Sequence, residues 1–123
     1  MGEFLDKTNR RIRKRLEGTT KYVYGLGREL ARVQGRINSG HYARRTVEGE
    51  LIPERDRLQL TIDAEKSYAW RDAMGIVENY RKCTHDHETA DELAERVADF
   101  IEHQMGGRQA LDMLPLYFND GDQ

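Results

Sequence analysis

Apolar residues recur every seven positions through the first third of the chain, at alternating steps of three and four residues. The repeat comprises Leu5, Ile12, Leu16, Val23, Leu26, Leu30, Val33 and Ile37, with Asn9 and Thr19 filling two gaps. This spacing places a single apolar seam along one side of a helix. It predicts a long helix over residues 4–38, which ends at Asn38-Ser39-Gly40. A break near Gly18-Thr19-Thr20 is the alternative, because glycine destabilises a helix interior.

Residues 42–62 are open to two interpretations. Leu58, Leu60 and Ile62 alternate with other residues, which is typical of a strand and would form a small β-hairpin turning near Pro53. In the second interpretation, Pro53 occupies the first turn of a helix whose apolar face continues to Tyr80. The helical pattern has more matches, so it favours a second helix over residues 53–82, antiparallel to the first.

The last third of the chain predicts one amphipathic helix and one short helix. Thr89 and Glu92 form a capping-box sequence at the start of a helix over residues 89–105, and Gly106-Gly107 ends it. A short helix over residues 109–114 precedes Pro115, and residues 119–123 are expected to form a flexible tail. The sequence therefore predicts one all-α domain over residues 1–118, built as a coiled-coil-like helical hairpin with a third amphipathic helix.

Composition indicates narrow apolar stripes and a need for further burial. Only 25 of the 123 residues are Leu, Ile, Val or Phe, while 34% are charged, which is close to the lower limit for a packed core. Self-association into a homodimer would supply more burial. Cys83 is the single cysteine, so no intrachain disulfide is expected and the composition favours a cytoplasmic protein. The apolar runs are too short to predict a membrane span or a signal peptide.

Charge is divided unevenly along the chain. Residues 1–60 hold 14 Lys and Arg against 8 Asp and Glu, a balance of +6, whereas residues 61–123 hold 6 against 14, a balance of −8. The third predicted helix has an acidic outer face composed of Glu88, Asp91, Glu92, Glu95 and Asp99. These acids either stabilise the start of the helix or imitate the phosphate charge of nucleic acid. The asymmetry indicates an anionic partner, or attraction between the two halves within or between chains.

The basic residues of the first predicted helix are the main candidates for a binding site. Lys7, Lys14, Lys21 and Arg28 recur every seven residues opposite the seam. The full candidate set is Lys7, Arg10, Arg11, Arg13, Lys14, Arg15, Lys21, Arg28 and Arg32. Crowding of like charges on a helix is unfavourable, and an acidic protein surface or nucleic acid phosphate would relieve it. A solvated helix end is the third interpretation.

This arrangement resembles basic-region zipper proteins, in which a basic helix continues into a heptad seam. The resemblance covers the general layout of the first predicted helix. The family reads bases with spaced Asn and Arg residues, but the residue eight positions after Asn9 is Glu17. Sequence-specific DNA recognition is therefore not predicted.

Other chemistry is weakly indicated. Cys83, His85 and His87 could supply three metal ligands, but one local cluster is also what an ordinary polar linker contains. No nucleophile motif or cofactor-binding loop is present, so neither an enzyme nor a cofactor is predicted. Tyr68 and Trp70 are expected to pack between the first two helices or, with Tyr22, Tyr24 and Tyr42, to help form a contact surface. The first hypothesis is a non-enzymatic adaptor or inhibitor that binds a protein with an acidic surface. The alternatives are a sequence-nonspecific nucleic-acid-binding protein and a metal-responsive regulator.

Overall fold

The computed structural model describes residues 2–119, and every regular element within them is helical. Helix α1 spans Gly2–Asn38. Helix α2 covers residues 44–84 and consists of Arg44–Thr46, a π-helical turn at Val47–Leu51, and Ile52–Thr84. Helix α3 covers residues 87–104, with an α-helical part at His87–Asp99 and a π-helical end at Phe100–Gln104. Helix α4 spans Ala110–Tyr117. The predicted all-α class is confirmed. The predicted tail lies mostly outside the described residues.

Helices α1 and α2 form an antiparallel hairpin. Phe4 near the start of α1 stacks on Tyr80 near the end of α2, with ring centroids 5.7 Å apart. Farther along, Val33 of α1 packs with Leu51 and Leu58 of α2 in a small apolar cluster of its own. Helices α3 and α4 cover the other end of the hairpin and complete the main core. The turn end of the hairpin is therefore a two-helix arm, which we define as residues 26–58.

The predicted β-hairpin at residues 42–62 is wrong, because the segment is helical from Arg44 onward. Leu58 and Ile62 are buried, being four residues apart on one helix face, whereas Leu60 is 70% exposed. Their alternation is thus a by-product of helical spacing. The helix also begins earlier than Pro53: a wide turn at Val47–Leu51 accommodates the proline ring, which has no amide hydrogen to donate to the previous turn.

The α1 helix is continuous, so the alternative break near Gly18 is wrong. Thr19 and Thr20 are 7% and 1% exposed, and their burial against the neighbouring helices holds this stretch in place. The α1–α2 connection is short, residues 39–43, and Gly40 adopts φ +75 there. That left-handed conformation is the one that the Asn38-Ser39-Gly40 pattern predicted.

The predicted capping box at Thr89 is wrong by three residues. Asp86 caps α3 by accepting a hydrogen bond from the Thr89 amide at 3.1 Å, and it also accepts one from the Tyr80 hydroxyl at 3.2 Å. His85, with φ 58, ends α2 immediately before. Helix α4 continues through Pro115 to Tyr117, beyond its predicted end, where the Phe118 amide donates to the Leu114 carbonyl at 2.9 Å.

Replacing Asp86 by alanine is expected to lower the midpoint of thermal unfolding, because two donors lose their acceptor. Hydrogen bonds from Thr89 hold the pKa of Asp86 below its ordinary value. A carboxylate with a lowered pKa stabilises the fold above its unfolded pKa and loses that effect as the pH falls through the folded pKa. The difference in midpoint should therefore be constant near neutral pH and shrink below about pH 4.

Thermal unfolding followed by circular dichroism at several pH values measures this effect. Asp86→Asn is the matched control, since asparagine keeps the capping oxygen without the ionisable group. It should retain most of the wild-type midpoint at neutral pH. An Asp86→Ala variant with the wild-type midpoint at pH 7 would contradict the assignment of this cap.

Within residues 2–119, the helices contain no stretch that combines the length and the apolar character needed to cross a bilayer. Their apolar residues instead face one another in the core. The largest buried side chains are Phe100, Phe118, Ile12, Leu16 and Leu93. The main core thus lies where all four helices meet.

Candidate functional site

Packing of the α1 seam fixes which side of this helix faces solvent. Ile12, Leu16, Val23 and Val33 are at most 2% exposed, and Leu5, Leu26, Leu30 and Ile37 are half-buried against the same clusters. Asn9 and Thr19, which fill the gaps in the seam, are also buried. The opposite side of α1 therefore cannot rotate inward without removing these residues from the core.

The predicted basic residues lie on that outer side and on its two flanks. Seven of them are exposed: Lys7, Arg10, Arg11, Lys14, Lys21, Arg28 and Arg32. Arg13 and Arg15 are half-buried beside the seam. The structure therefore places the predicted set on one helix, spread over its outer side and both flanks.

Several of these cations already have partners in the same chain. Arg15 donates to the Asp72 carboxylate of α2 at 2.6 Å and to the Thr19 hydroxyl at 2.8 Å. Further along α1, the side chains interact locally: Lys21 with Glu17 at 3.4 Å, Arg32 with Glu29 at 3.1 Å, and Arg28 with the Tyr24 ring at 5.9 Å. The distal part of the predicted stripe is thus largely neutralised by α1 itself.

Lys7, Arg11 and Lys14 differ from the rest of the set. They are exposed, and no carboxylate of residues 2–119 lies within ion-pair distance of them. One turn of helix separates neighbouring members, so the three charges occupy about 10 Å of the α1 surface. We define these three residues as the cationic face. Arg10, also exposed, adjoins it.

The acidic residues of α3 interact elsewhere. Asp91 accepts from Arg81 of α2 at 2.8 Å, and this hydrogen bond raises the pKa of Arg81. Glu92 pairs with Arg96 at 3.9 Å, and Asp99 accepts from the Tyr117 hydroxyl, which raises the pKa of Tyr117. The acidic outer face of α3 therefore does not neutralise the cationic face of α1 within the chain.

A concave surface adjoins the cationic side of α1 where α4 packs against it. Two neighbouring hollows of about 360 and 450 Å³ share Lys21 and Leu111. Their other lining residues are Thr20, Tyr24, Gly107 and Arg108 in the first and Arg13, Glu17, Leu114 and Pro115 in the second. We define this continuous depression as the α1–α4 groove. The Thr20 hydroxyl on its α1 side is buried and has no hydrogen-bond partner among the described residues.

Sequence reasoning missed Arg108 and Leu111 as site residues. The Gly106-Gly107 pair was interpreted only as a helix end, although Gly106 adopts φ +94 and reverses the chain toward α1. A Cβ at Gly106 would lie 3.3 Å from Val23, so the turn packs closely on α1. A close-packed chain reversal of this kind places the residues that follow it beside α1. The glycine pair was therefore the sequence signal from which the position of Arg108 and Leu111 could have been predicted.

The predicted packing of Tyr68 and Trp70 between α1 and α2 is wrong, since they are 56% and 48% exposed. Ala69 and Ala73 take that position and are fully buried. Adjacent residues of a helix point about 100° apart, so Trp70 points away from the α1–α2 contact that Ala69 occupies. Trp70 instead lines a hollow of about 500 Å³ between α2 and α3, beside Ile101. This hollow is wide and shallow.

The possible metal ligands do not converge. Cys83 is exposed, with its sulfur 4.0 Å from the Asn79 side chain, and His87 contacts Arg81 through Nδ1 at 3.3 Å. His85 occupies the left-handed end of α2. Within residues 2–119, no group of three His, Cys, Asp or Glu side chains is arranged to hold a metal ion.

The described surface therefore combines exposed positive charge on α1 with a groove whose lining is partly polar and partly apolar. The two tyrosines with altered acidity, Tyr80 and Tyr117, have raised pKa values, caused chiefly by burial and by the Asp99 hydrogen bond respectively. A raised pKa makes a phenol a poorer acid at neutral pH.

No protein-family model, curated protein or solved structure matches this chain. Its function is therefore inferred from the charge and shape of its surface.

Proposed function

We propose that this chain is a non-enzymatic interaction protein, of the adaptor or inhibitor type, that binds an acidic surface of a partner protein through the cationic face of α1. The observation that carries the proposal is the exposure of Lys7, Arg11 and Lys14 without a carboxylate partner among residues 2–119. Their neighbours on the same helix do have partners, so the absence of neutralisation is local. Crowded, unneutralised cations favour an external anion.

The support for the cationic face is rigid. Buried Ile12 and Leu16 lie on the opposite side of the same turns of α1, and both are 0% exposed. Charged groups held in place by such a core attract a complementary surface from a distance and orient it as it approaches. Exposed charges at the edge of a protein–protein interface increase the association rate more than they slow dissociation. Such kinetics suit a reversible regulator.

Nucleic acid is the alternative occupant of the same face. If three unneutralised cations contacted duplex DNA, a plot of log K against log salt concentration would have a slope of only about −2.7. The rest of the predicted stripe is already engaged with Glu17, Glu29 and Tyr24. These observations favour an acidic protein surface over a nucleic acid.

Reversing the charge of the cationic face is the direct test. A variant with Lys7→Glu, Arg11→Glu and Lys14→Glu should recover the specific partner at least tenfold less efficiently than wild type in a pull-down from the native host. The matched control is Arg36→Glu, Arg45→Glu and Lys82→Glu, which changes the net charge equally at three other exposed sites. The control should recover the partner normally.

Two outcomes would contradict the proposal. Equal recovery with the reversed cationic face would show that these charges are merely solvated. Tight binding of a generic 20-base-pair duplex at 50 mM salt, lost in the reversed variant and weakened by raising the salt, would assign the face to nucleic acid. Fluorescence anisotropy of a labelled duplex at 50 and 150 mM salt measures the second outcome.

A further inference from the structure

The α1–α4 groove lies directly beside the cationic face. Along α1 its lining residues run from Arg13 to Tyr24, a rise of about 16 Å. Lys14 and Lys21 are seven residues apart on the same outer line of the helix, so the groove continues the cationic face toward the arm. A helical ligand that fills the groove would need to be about three turns long.

The groove combines positive charge with accessible apolar surface. Among its described lining residues, Arg108 has no carboxylate of residues 2–119 within ion-pair distance, whereas Lys21 pairs with the Glu17 carboxylate at 3.4 Å and Arg13 is a further cation with an interaction of its own. Leu111 lies where the two hollows meet and is 40% exposed. Pro115 extends the apolar surface along α4, and Tyr24 lines the other end of the groove. A ligand must therefore supply carboxylates and apolar side chains together.

We propose that the α1–α4 groove binds an acidic amphipathic segment of the partner protein. Its apolar side chains would lie on Leu111, and its carboxylates would face Arg108 and compete with Glu17 for Lys21. Laying one apolar helix face into such a groove is a common mode of peptide recognition. This inference rests on the proposed function and names the kind of segment that the partner presents.

A second copy of this chain is a poorer occupant. Its acidic helix is α3, whose apolar residues Leu93, Val97 and Phe100 are all 0% exposed. Those side chains are committed to the core and cannot also enter a groove on another molecule. Helix α3 of a second copy is therefore excluded as the occupant, which favours a segment of a different protein in which acidic and apolar side chains are both exposed.

Selection from a random library of displayed 16-residue peptides against the whole chain tests this inference. We expect enriched peptides that are acidic and carry Leu, Ile or Phe at three- and four-residue spacing. Leu111→Glu, and separately Lys21→Glu with Arg108→Glu, should each weaken their binding at least tenfold by fluorescence anisotropy. Leu111 is exposed enough for its replacement to leave the fold intact, which circular dichroism verifies.

Two controls make the result specific to the groove. Leu116→Glu changes the same kind of residue on the same helix at a position that is 74% exposed and outside the groove. Arg45→Glu with Lys82→Glu reproduces the charge change elsewhere. Both controls should bind the selected peptides as wild type does.

The outcomes separate the two proposals. No enrichment, or enriched peptides without acidic and apolar residues, would overturn the groove inference. Peptides that tolerate the groove variants but are lost on reversing Lys7, Arg11 and Lys14 would overturn the groove and leave the cationic face in place. Peptides insensitive to both sets of variants would count against both.

Discussion

Replacing Phe100 by alanine is expected to lower the free energy of unfolding by about 4 kcal/mol. Phe100 is 0% exposed and lies at the end of the α-helical part of α3. Its ring makes edge contacts with Tyr117 and Phe118, with centroids 5.4 and 6.2 Å away and interplanar angles of 72° and 70°. Removing it leaves a cavity between α3 and α4 and weakens the docking of the last helix.

Equilibrium unfolding in urea measures this loss, provided that the transition is two-state. Phe4→Ala is the matched control, because it removes the same group from a ring that is 37% exposed and stacked on Tyr80. The control should cost about 1 kcal/mol, consistent with a partly exposed aromatic pair. Equal losses for the two variants would mean that Phe100 is not a core residue.

The Phe100 variant also bears on the groove. Phe118, which follows α4, is 0% exposed and packs on Phe100, so the position of α4 depends on this contact. Weakened docking of α4 should reduce peptide binding in the α1–α4 groove while leaving the cationic face, which lies on α1, in place. The contributions of the groove and of the cationic face to binding can therefore be distinguished by a core substitution as well as by charge reversal.

Replacing three glycines on the outer side of α1 by alanine is expected to raise the free energy of unfolding by about 2–3 kcal/mol. Gly18, Gly25 and Gly35 have helical conformations, and a Cβ built at each would have no neighbouring atom within 4 Å. Alanine therefore adds no clash, and it reduces the conformational entropy of the unfolded chain. The midpoint of urea unfolding should increase without a change in slope.

Gly40→Ala is the matched control for these substitutions. Gly40 adopts φ +75, a conformation that costs an L-residue about 1–2 kcal/mol, so this variant should be destabilised. A triple variant no more stable than wild type would show that the outer side of α1 is not packed as the structure describes. Partner binding by the triple variant adds a further comparison: unchanged affinity would show that the glycines do not contribute to close approach at the cationic side.

Sequence periodicity was sufficient for the class and direction of the main elements. The seven-residue repeat around Leu16 predicted α1 and its buried side, and the longer helical pattern correctly favoured a helix over the alternating strand at Leu58. Both signals come from apolar side chains whose burial is the main driving force of folding. The exposure of Lys7 and Lys14 follows from the same repeat, because they lie opposite the seam.

Local sequence signals that fit more than one position predicted the starts of helices less reliably. Thr89 and Asp86 are both good capping residues, and the choice between them depends on where α2 ends and on the Tyr80 hydroxyl, six residues away. Pro53 predicted a helix start, yet the wide turn before it lets the helix continue from Arg44. These outcomes depend on contacts that a short window of sequence does not contain.

The sequence by itself determined the all-α class, the seam of α1 and the concentration of positive charge on its opposite side, because each follows from residue spacing along one helix. Only the tertiary structure decided which of those charges remain without an ion pair, since Arg15 meets Asp72 across 57 residues of chain. Tertiary structure alone also formed the α1–α4 groove, by packing Leu111 and Arg108 beside Lys21. Contacts between distant segments depend on how helix faces fit together, and helical periodicity specifies a face without specifying its neighbour.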